Sequence, residues 1–342
     1  MDIITQKCKT TTTLMDFPSY IQLYPTIRCT QNCSFCFNQN ILDSASYSDM
    51  NAEKASTLCD ILTKTAISEI DILGGEPLLI PWIKDFVTHL TESGTTINIS
   101  TNGSLPHVVQ KFIDIDTSFL NIGFSVHGFI RTHNSLTQSD NFLKTTKGIQ
   151  HLLLAGKNPI VKSLLTKENM NEILDLVLYL KELGVRKYYL MHEDIIGRKI
   201  YQNCISFPEF WDFYSKLKAT TGNKLDIGFV AASGFVSESK DTTGRCNAGI
   251  KKIAIMPDGS AFPCNLFAGF TEFCLGNIFK DGIEQIWRSP KLKPFRKNFT
   301  KNRCKINNCE HYFICKGGCP AHSYYFYGSL DSADPRCAKG IF

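Results

Sequence analysis

The stretch Cys29-Thr-Gln-Asn-Cys33-Ser-Phe-Cys36 carries three thiols in the spacing Cys-x3-Cys-x2-Cys. Cysteine thiolates are the standard ligands of [4Fe–4S] clusters, so these side chains can hold three of the four irons of one cube. The fourth iron then has no protein ligand and is open to a substrate. The stretch therefore predicts an iron–sulfur cluster with one exchangeable position.

A structural zinc site or a set of buried thiols is the alternative interpretation of the three cysteines. A structural zinc ion needs four ligands, and this spacing is not usual for zinc. The whole chain contains 14 cysteines, and in a cytosolic protein such a number indicates metal ligation rather than disulfides. The pattern favours the iron–sulfur cluster.

Around the three cysteines, the chain alternates between short apolar segments and helix-length segments. Six segments rich in Ile, Val, Leu and Tyr are typical of buried parallel strands, at 20–24, 70–73, 96–100, 121–126, 159–165 and 186–191. Six helices are predicted at 52–65, 82–92, 107–113, 141–154, 170–183 and 208–220, with Asn169 as an N-cap and Gly184 as a C-cap. Right-handed crossovers then predict one parallel sheet, which is doubly wound or partly closed into a barrel.

Polar stretches lie at the ends of the second, third and fourth predicted strands. They are Gly74-Gly75-Glu76-Pro77, Ser100-Thr-Asn102-Gly and Phe-Ser125-Val-His-Gly. Functional groups in parallel sheets collect at the carboxyl ends of the strands. Two glycines permit close approach of the backbone to a ligand, and the carboxylate can accept hydrogen bonds from a cation. Ordinary turn chemistry is the alternative, since Ser, Asn and Gly all favour turns.

Together, the three cysteines after a short strand and the Gly74-Gly75-Glu76-Pro77 turn resemble the radical S-adenosylmethionine (SAM) superfamily. This resemblance implies an α/β fold, a partial (β/α)6 barrel, in which the open iron binds the methionine part of SAM. Reduction then cleaves SAM to methionine and a 5′-deoxyadenosyl radical, which takes a hydrogen atom from the substrate. The residues that the resemblance places at SAM are Phe35 beside the adenine, Gly74, Gly75, Glu76 and Pro77 at the amino group, and Ser100, Asn102 and Ser125.

The pattern does not single out a catalytic base or hydrogen donor. The resemblance places the adenine near the end of the sixth strand, where His192-Glu193-Asp194 follow. His192 is a candidate proton acceptor, with a solvated loop as the alternative. Cys204 is a candidate hydrogen-atom donor, with an inert thiol as the alternative.

A second cysteine array begins after residue 222, where glycine and cysteine become frequent and helical periodicity fades. A β-hairpin with a glycine turn is predicted at 252–264. The array resembles the SPASM extension of radical SAM enzymes, which carries two further [4Fe–4S] clusters. The ligands that this resemblance implies are Cys246, Cys264 and Cys319 for the first auxiliary cluster, and Cys304, Cys309, Cys315 and Cys337 for the second.

Two features of this array leave alternatives open. The family usually has Cys-x2-Cys where this chain has Cys304-x4-Cys309, which puts the local geometry in doubt. Cys274 is either the eighth ligand or a free buried thiol. Without it, the first auxiliary cluster has an open iron that can bind a substrate thiolate. A zinc-stabilised domain that does no redox chemistry would use the same thiols.

The bulk properties of the chain exclude several classes of protein. Its 342 residues suit one large domain with an appendage, predicted as an arm at 1–19, a barrel at 20–221 and a SPASM domain at 222–342. The net charge of +5 includes no dense Lys/Arg run of the kind that binds nucleic acid. No apolar run reaches membrane-spanning length, and the N-terminus lacks the apolar core of a signal peptide. We therefore expect a cytoplasmic protein.

The resemblance implies an oxidative radical SAM maturase that acts on a peptide or protein side chain. In that family the product is commonly a thioether, carbon–carbon or ether cross-link. A flavodoxin or ferredoxin supplies the electron that cleaves SAM. The 19 residues before the first strand are too few for a recognition domain, so we expect a separate peptide-recognition protein or a leader-independent substrate. The alternatives are formylglycine formation, as in sulfatase maturation, and a small-molecule radical dehydrogenase. A non-catalytic electron carrier is disfavoured, because it needs no SAM motif.

Overall fold

A computed structural model describes residues 16–42, 47–65, 67–116, 118–197, 204–222, 225–230, 246–296 and 317–337. One sheet organises these residues. Its strands in chain order are β1 (Tyr20–Leu23), β2 (Glu69–Ile72), β3 (Thr96–Thr101), β4 (Leu120–Ser125), β5 (Ile160–Leu164), β6 (Lys187–Met191), β7 (Asp226–Val230), β8 (Lys252–Ile255), β9 (Ser260–Phe262) and β10 (Gly276–Asn277). Their order across the sheet is β10-β9-β8-β1-β2-β3-β4-β5-β6-β7.

The six predicted strands are confirmed as β1 to β6, which pair in parallel and in chain order. Two further parallel strands extend this array, because β7 pairs with β6 and β8 pairs with β1. The predicted hairpin is confirmed as the antiparallel pair β8 and β9. The segment at 222–342 therefore contributes strands to both edges of the parallel array, while the predicted domain boundaries stay predictions.

Helices connect the strands and cover the apolar side of the sheet. They are α1 (Gln39–Leu42), α2 (Ala52–Lys64), α3 (Ile83–Glu92), α4 (Pro106–Val109), α5 (Ile130–Thr137), α6 (Phe142–Leu154), α7 (Ile173–Leu183), α8 (Phe207–Thr221), α9 (Ile278–Trp287), α10 (Lys293–Arg296) and α11 (Pro320–Tyr327). No helix among the described residues combines the length and the apolar character needed to cross a membrane.

One predicted helix cap is confirmed and the other is wrong. Gly184 ends α7 in the left-handed conformation, with φ of 109°. Asn169 does not begin this helix, which starts at Ile173 after Glu172. The Asn169 side chain instead closes the turn after β5: its Oδ1 accepts from the Thr166 amide at 2.8 Å, and its Nδ2 donates to the Leu164 carbonyl at 2.7 Å. Tertiary hydrogen bonds have outweighed the local capping preference.

The strands separate an apolar face from a polar face, because side chains alternate along each strand. Apolar side chains such as Ile21, Ile70 and Ile97 are fully buried in the main core. The opposite face, which we call the inner face, carries Tyr20, Asp71, Asn98, Asn121 and Lys162. On it, Asn98 Nδ2 donates to Asp71 at 2.8 Å, and Asn121 donates to Asn98 at 2.9 Å. Around Asp71, Asn98 and Asn121 the inner face therefore carries hydrogen-bonded polar groups rather than a second apolar layer.

Candidate active site

The loop with the first three cysteines leaves the carboxyl end of β1 and lies against the turn that follows β2. Gly75 N donates to the Thr26 carbonyl at 3.1 Å, and Glu76 N donates to the Arg28 carbonyl at 2.8 Å. A Cβ at Gly75 would lie 2.1 Å from the Arg28 oxygen, and one at Gly74 would lie 2.4 Å from the Thr26 oxygen. The two glycines thus let the β2 turn touch the backbone that leads into the cysteine loop.

Glu76 is fully buried in this turn and accepts three hydrogen bonds. Its Oε1 accepts from Leu78 N at 3.1 Å and from Thr101 Oγ1 at 2.8 Å, and its Oε2 accepts from Asn102 N at 2.7 Å. Burial raises the pKa of Glu76 to about 7. The three hydrogen bonds favour the ionised form and offset only part of this increase. No cation in the described part of the chain pairs with the carboxylate.

The Glu76 carboxylate fits an ammonium ligand. A carboxylate offers about four lone-pair positions, and the three hydrogen bonds leave one on Oε2. An ammonium group there would supply the missing positive charge and favour the ionised carboxylate. The amino group of SAM has this chemistry, so the residue present fits the group that the sequence motif implies.

Asn102, at the end of β3, connects this turn with the first cysteine. Its side-chain Nδ2 donates to Thr30 Oγ1 at 2.9 Å and to Cys29 Sγ at 3.6 Å. Its backbone amide meanwhile holds Glu76. A hydrogen bond to a ligand sulfur is one of the ways in which a protein tunes an iron–sulfur cluster. Sequence reasoning assigned Asn102 to SAM, and the structure gives it these two thiol-loop partners.

Phe35, between the second and third cysteines, lies edge-on against His127, with ring centroids 4.7 Å apart. The Nδ1 atom of buried His127 accepts from Leu164 N at 3.1 Å, so the proton of the neutral ring is on Nε2. Burial lowers the pKa of His127 to about 3 and that of neighbouring His133 to about 4. The aromatic wall beside the cysteine loop is therefore uncharged at neutral pH.

Helix α5 supports the same loop, and sequence reasoning missed this helix. Asn32 N donates to the Thr137 carbonyl at 3.1 Å, and Ser34 N donates to the Leu136 carbonyl at 2.9 Å. His133 on α5 also accepts the His127 amide through Nδ1 at 3.1 Å. The available signal was His127 in the turn after β4, but nothing in the sequence linked it to residue 133.

The remaining residues that were assigned to SAM lie at the same edge of the inner face. Ser125 is the last residue of β4 and is in register with Lys162 on β5. Ser100 Oγ accepts a hydrogen bond from Lys162 Nζ at 2.9 Å. Pro77 is buried at the start of the short turn of helix after Glu76. The structure thus brings the predicted SAM residues together at the carboxyl ends of neighbouring strands. It adds Lys162, which the sequence did not single out.

The first auxiliary thiols, Cys246, Cys264 and Cys319, also come together. Burial and the nearby Cys246 thiol raise the pKa of Cys264 to about 11. The pKa of Cys319 is raised well above its usual range by burial, with contributions from Asp334 and from the other two thiols. Three clustered, buried thiols become thiolates only where a cation compensates their charge, and cluster irons are cations that suit thiolates. The three residues therefore fit an iron–sulfur cluster.

The other predicted ligands are less completely described. Cys274 lies beside Tyr47 and donates to the Gly276 carbonyl at 3.8 Å. Its assignment as an eighth ligand stays a prediction. Cys337 N donates to the Asp334 carbonyl at 3.0 Å. The predicted ligands Cys304, Cys309 and Cys315 lie outside the described residues.

Tyr24 connects the two groups of thiols. Its hydroxyl donates to Asn38 Oδ1 at 3.3 Å and accepts from Asn265 Nδ2 at 3.0 Å. Asn38 is two residues after Cys36, and Asn265 follows Cys264. Burial raises the pKa of Tyr24 well above its usual range, so the phenol is neutral. This hydrogen-bonded bridge fixes the loop that carries Cys29, Cys33 and Cys36, which we call the SAM-side loop, relative to the first auxiliary thiols.

The residues after β6 are held by the C-terminal segment. Arg336 donates to the Glu193 carbonyl at 2.9 Å and to Asp194 at 3.2 Å, and it also forms a buried ion pair with Asp334 at 3.0 Å. His192 is buried, its Nε2 lies 2.8 Å from the Ile205 carbonyl, and its pKa is lowered to about 4, mainly by burial. This environment opposes proton acceptance by His192 at neutral pH.

The second catalytic candidate, Cys204, lies next in the chain to Ile205 and is half-buried. Ile205 N donates to Glu193 Oε2 at 3.0 Å, which brings this part of the chain against the loop after β6.

Within the described ranges, no group of three or more His, Cys, Asp and Glu residues can hold a single metal ion. In a [4Fe–4S] cube each thiolate binds a separate iron, so the two sets of thiols fit the cube by donor type and by number.

Comparison with known families agrees with the two cysteine arrays. Residues 23–193 match the radical SAM superfamily, and residues 246–311 match the SPASM iron–sulfur cluster-binding domain. The first match contains Cys29, Cys33, Cys36 and the Glu76 turn, and the second contains Cys246 and Cys264.

Individual relatives are similar over most of this chain. The mycofactocin maturase MftC of Mycobacterium ulcerans (strain Agy99) is 21% identical, over 95% of this chain and 89% of its own length. AlbA of Bacillus subtilis (strain 168), an antilisterial bacteriocin subtilosin biosynthesis protein, is 24% identical over 86% of this chain, which spans 65% of AlbA.

A solved structure has the same fold. Streptococcus suis SuiB bound to its precursor peptide SuiA superposes with a TM-score of 0.79 at 20% identity, covering 95% of this chain and 77% of SuiB. The parallel sheet, the cysteine loop after β1 and the two family matches lead to one conclusion. The chain belongs to the radical SAM superfamily and carries a SPASM iron–sulfur cluster-binding domain.

Proposed function

We propose that this protein is a radical SAM maturase that oxidatively modifies a side chain of a ribosomally made peptide. The names of similar proteins support this proposal: MftC is a maturase, AlbA takes part in bacteriocin biosynthesis, and SuiB binds a precursor peptide. The observation that carries the oxidative part is the Tyr24 bridge between the SAM-side loop and the first auxiliary thiols. It joins a site for hydrogen abstraction to a site that can take up an electron.

The proposed roles at the SAM side follow from the contacts of each residue. Cys29, Cys33 and Cys36 hold the cluster, and Asn102 orients Cys29 through its amide. Glu76 binds the amino group of SAM through its open lone pair, and Phe35 borders the adenine. When bound, the cluster and SAM supply a 5′-deoxyadenosyl radical, which removes one hydrogen atom from the substrate.

The second thiol array has the role of an electron acceptor. Loss of one hydrogen atom leaves a substrate radical, and formation of a new C–S, C–C or C–O bond requires loss of a further electron and a proton. Cys246, Cys264 and Cys319 hold the first auxiliary cluster in this proposal. Cys304, Cys309, Cys315 and Cys337 hold the second, which makes three [4Fe–4S] clusters in all.

The partners follow from the same chemistry. The substrate is a peptide or protein, recognised with or without a separate peptide-recognition protein. A flavodoxin or ferredoxin supplies the electron that cleaves SAM, and the reaction takes place in the cytoplasm. Neither nucleic acid nor a membrane has a role in this proposal.

The test is a reaction of the anaerobically reconstituted protein with SAM, a reductant and synthetic short peptides encoded beside its gene. We expect one peptide to lose two hydrogen atoms in mass and to gain a cross-link by tandem mass spectrometry. The Cys29→Ala variant should form neither 5′-deoxyadenosine nor product. The proposal fails if the peptides are unchanged while a small-molecule alcohol or sugar is oxidised in a SAM-dependent reaction.

A further inference from the structure

His322 is a fully buried histidine close to one of the first auxiliary thiols. It is the third residue of α11, and Cys319 is the N-cap of the same helix. Side chains three positions apart on a helix are neighbours. Asp334 lies between the two residues, because its Oδ2 accepts from Cys319 N at 2.8 Å and its charge acts on the His322 ring. His322 therefore belongs to the polar surroundings of the first auxiliary thiols.

The contacts of the His322 ring fix the position of its proton. Its Nε2 accepts from Ile195 N at 3.2 Å, and a backbone amide is always a donor, so Nε2 carries the lone pair. Asp194 Oδ1 lies 3.3 Å from the same Nε2 and accepts its hydrogen bond from Arg336. Burial lowers the pKa of His322 well below its usual range, so the ring is neutral. The one ring proton is therefore on Nδ1.

This Nδ1–H group has no acceptor among the residues that the structure describes. The side chain is 0% exposed, so bulk solvent does not supply one. Buried donors in folded proteins nearly always have a partner, because an unpaired buried donor loses its hydration without compensation. An acceptor outside the polypeptide therefore satisfies the Nδ1–H group. The sulfurs of an iron–sulfur cluster bound by Cys319 accept hydrogen bonds.

We propose that His322 donates a hydrogen bond through Nδ1 to a sulfur of the first auxiliary cluster and thereby raises the reduction potential of this cluster. The proposal rests on the proposed function, in which Cys246, Cys264 and Cys319 hold the cluster. The reduced cluster carries one more negative charge than the oxidised cluster, so a donor to its sulfur favours reduction. His322 is thus a positioning residue that makes the cluster a better acceptor for the electron that the substrate radical loses.

Two substitutions separate the donor at Nδ1 from the acceptor at Nε2. His322→Asn keeps an N–H donor near the position of Nδ1 and loses the acceptor for Ile195 N. His322→Gln, with a longer side chain, keeps an acceptor near the position of Nε2 and loses the donor near Nδ1. His151→Gln is the matched control, because His151 Nδ1 is also buried without an acceptor in the described part of the chain, but on α6, which packs against β4.

The measurement is an EPR-monitored redox titration of the anaerobically reconstituted full chain without peptide. At a fixed potential, we expect His322→Gln to lower the ratio of reduced to oxidised first auxiliary cluster about tenfold, which for one electron is a shift of about 59 mV to more negative values. His322→Asn and His151→Gln should titrate as the parent does. Iron content and melting temperature show that each variant folds and holds its clusters. A purely structural role of His322 would leave the potential unchanged.

Electron–nuclear double resonance of the reduced cluster identifies the atom that forms the contact. In the parent protein labelled with ¹⁵N-histidine, we expect a weakly coupled nitrogen and one exchangeable proton, both of which His322→Gln removes. A strongly coupled nitrogen would show that His322 binds iron directly and would overturn the proposal. An unchanged potential in His322→Gln, with no histidine coupling in the parent, would assign the Nδ1 proton to a buried water and would also overturn it.

These outcomes are separate from failure of the proposed function. If His322→Gln shifts the potential but every peptide stays unmodified, the hydrogen bond stands and the peptide substrate is wrong. If His322→Gln titrates as the parent does while a peptide is cross-linked, the proposed function stands and the role of His322 is wrong. A parent protein that binds no iron at Cys246, Cys264 and Cys319 would overturn both.

Discussion

The pH dependence of SAM binding tests the role of Glu76 most specifically. Burial raises the pKa of this carboxyl group to about 7, and three hydrogen bonds leave one lone pair for a cation. The SAM ammonium should bind the ionised carboxylate and release a proton where Glu76 is protonated. SAM affinity should therefore fall as the pH drops below about 7.

The size of this effect follows from the ionised fraction. With a pKa of about 7, roughly nine-tenths of Glu76 is ionised at pH 8 and roughly one-tenth at pH 6. Ionisation of Glu76 should thus make the dissociation constant of SAM about tenfold larger at pH 6 than at pH 8, relative to the change in a variant without this carboxylate. His127, His133 and His192 stay neutral in this range, because burial lowers their pKa values to about 3 or 4.

The same shift changes stability with the opposite sign. A carboxyl whose folded pKa lies above its unfolded value of 4.5 binds protons more tightly when folded. Its contribution to stability is fully present below pH 4.5 and is lost as the pH rises through about 7. Because SAM binds more tightly where Glu76 is ionised, it should stabilise the protein more at pH 8 than at pH 6.

The assay is calorimetric titration of the reconstituted protein with SAM from pH 6 to 8, in two buffers of different ionisation enthalpy to count released protons. The control is Glu76→Gln, which should bind SAM weakly. Because the α-amino group of SAM titrates near pH 8 in both proteins, only the difference between parent and variant reports on Glu76. Parallel pH profiles, or equal SAM affinity in both proteins, would refute the role of Glu76.

Three further substitutions test the framework. Gly75→Ala places a methyl group 2.1 Å from the cysteine-loop backbone; by colorimetric iron assay we expect loss of about one cluster, or about four irons, and a full complement of iron would contradict the contact. Asp334→Ala leaves buried Arg336 without its bidentate partner; chemical unfolding should show a loss of about 3 kcal/mol, against less than about 1 kcal/mol for exposed Asp212→Ala. Tyr24→Phe removes both hydrogen bonds of the bridge; we expect a loss of about 1–3 kcal/mol and slower oxidation of the substrate radical by freeze-quench EPR, and an unchanged radical lifetime would contradict a role of the bridge in electron transfer.

The sequence predicted the strands and the motif turns because their signals are local. Runs of Ile, Val and Leu follow the strand period, and glycine pairs mark the turn after β2. The sequence did not predict α5, whose exposed residues and buried His133 give no apolar stripe. It also missed β7, where Asp226 and Gly228 interrupt the apolar pattern.

The partners of the site residues depend on contacts between distant parts of the chain. Lys162 meets Ser100 across 62 residues, and Asn265 meets Tyr24 across 241 residues. No periodicity or spacing encodes these pairs. Asn169 shows that a correct local signal can also mislead. It has good local capping chemistry, but its side chain donates to the distant His127 carbonyl at 2.8 Å instead.

The most direct test of the whole account is the iron and sulfide content of the anaerobically reconstituted protein and of the triple variant Cys29→Ala/Cys33→Ala/Cys36→Ala. Three cubes predict about twelve irons in the parent and about eight in the variant. Only the parent should change its EPR spectrum on addition of SAM. An iron content that the triple variant leaves unchanged, or about four irons in the parent with zinc bound by the other thiols, would contradict it.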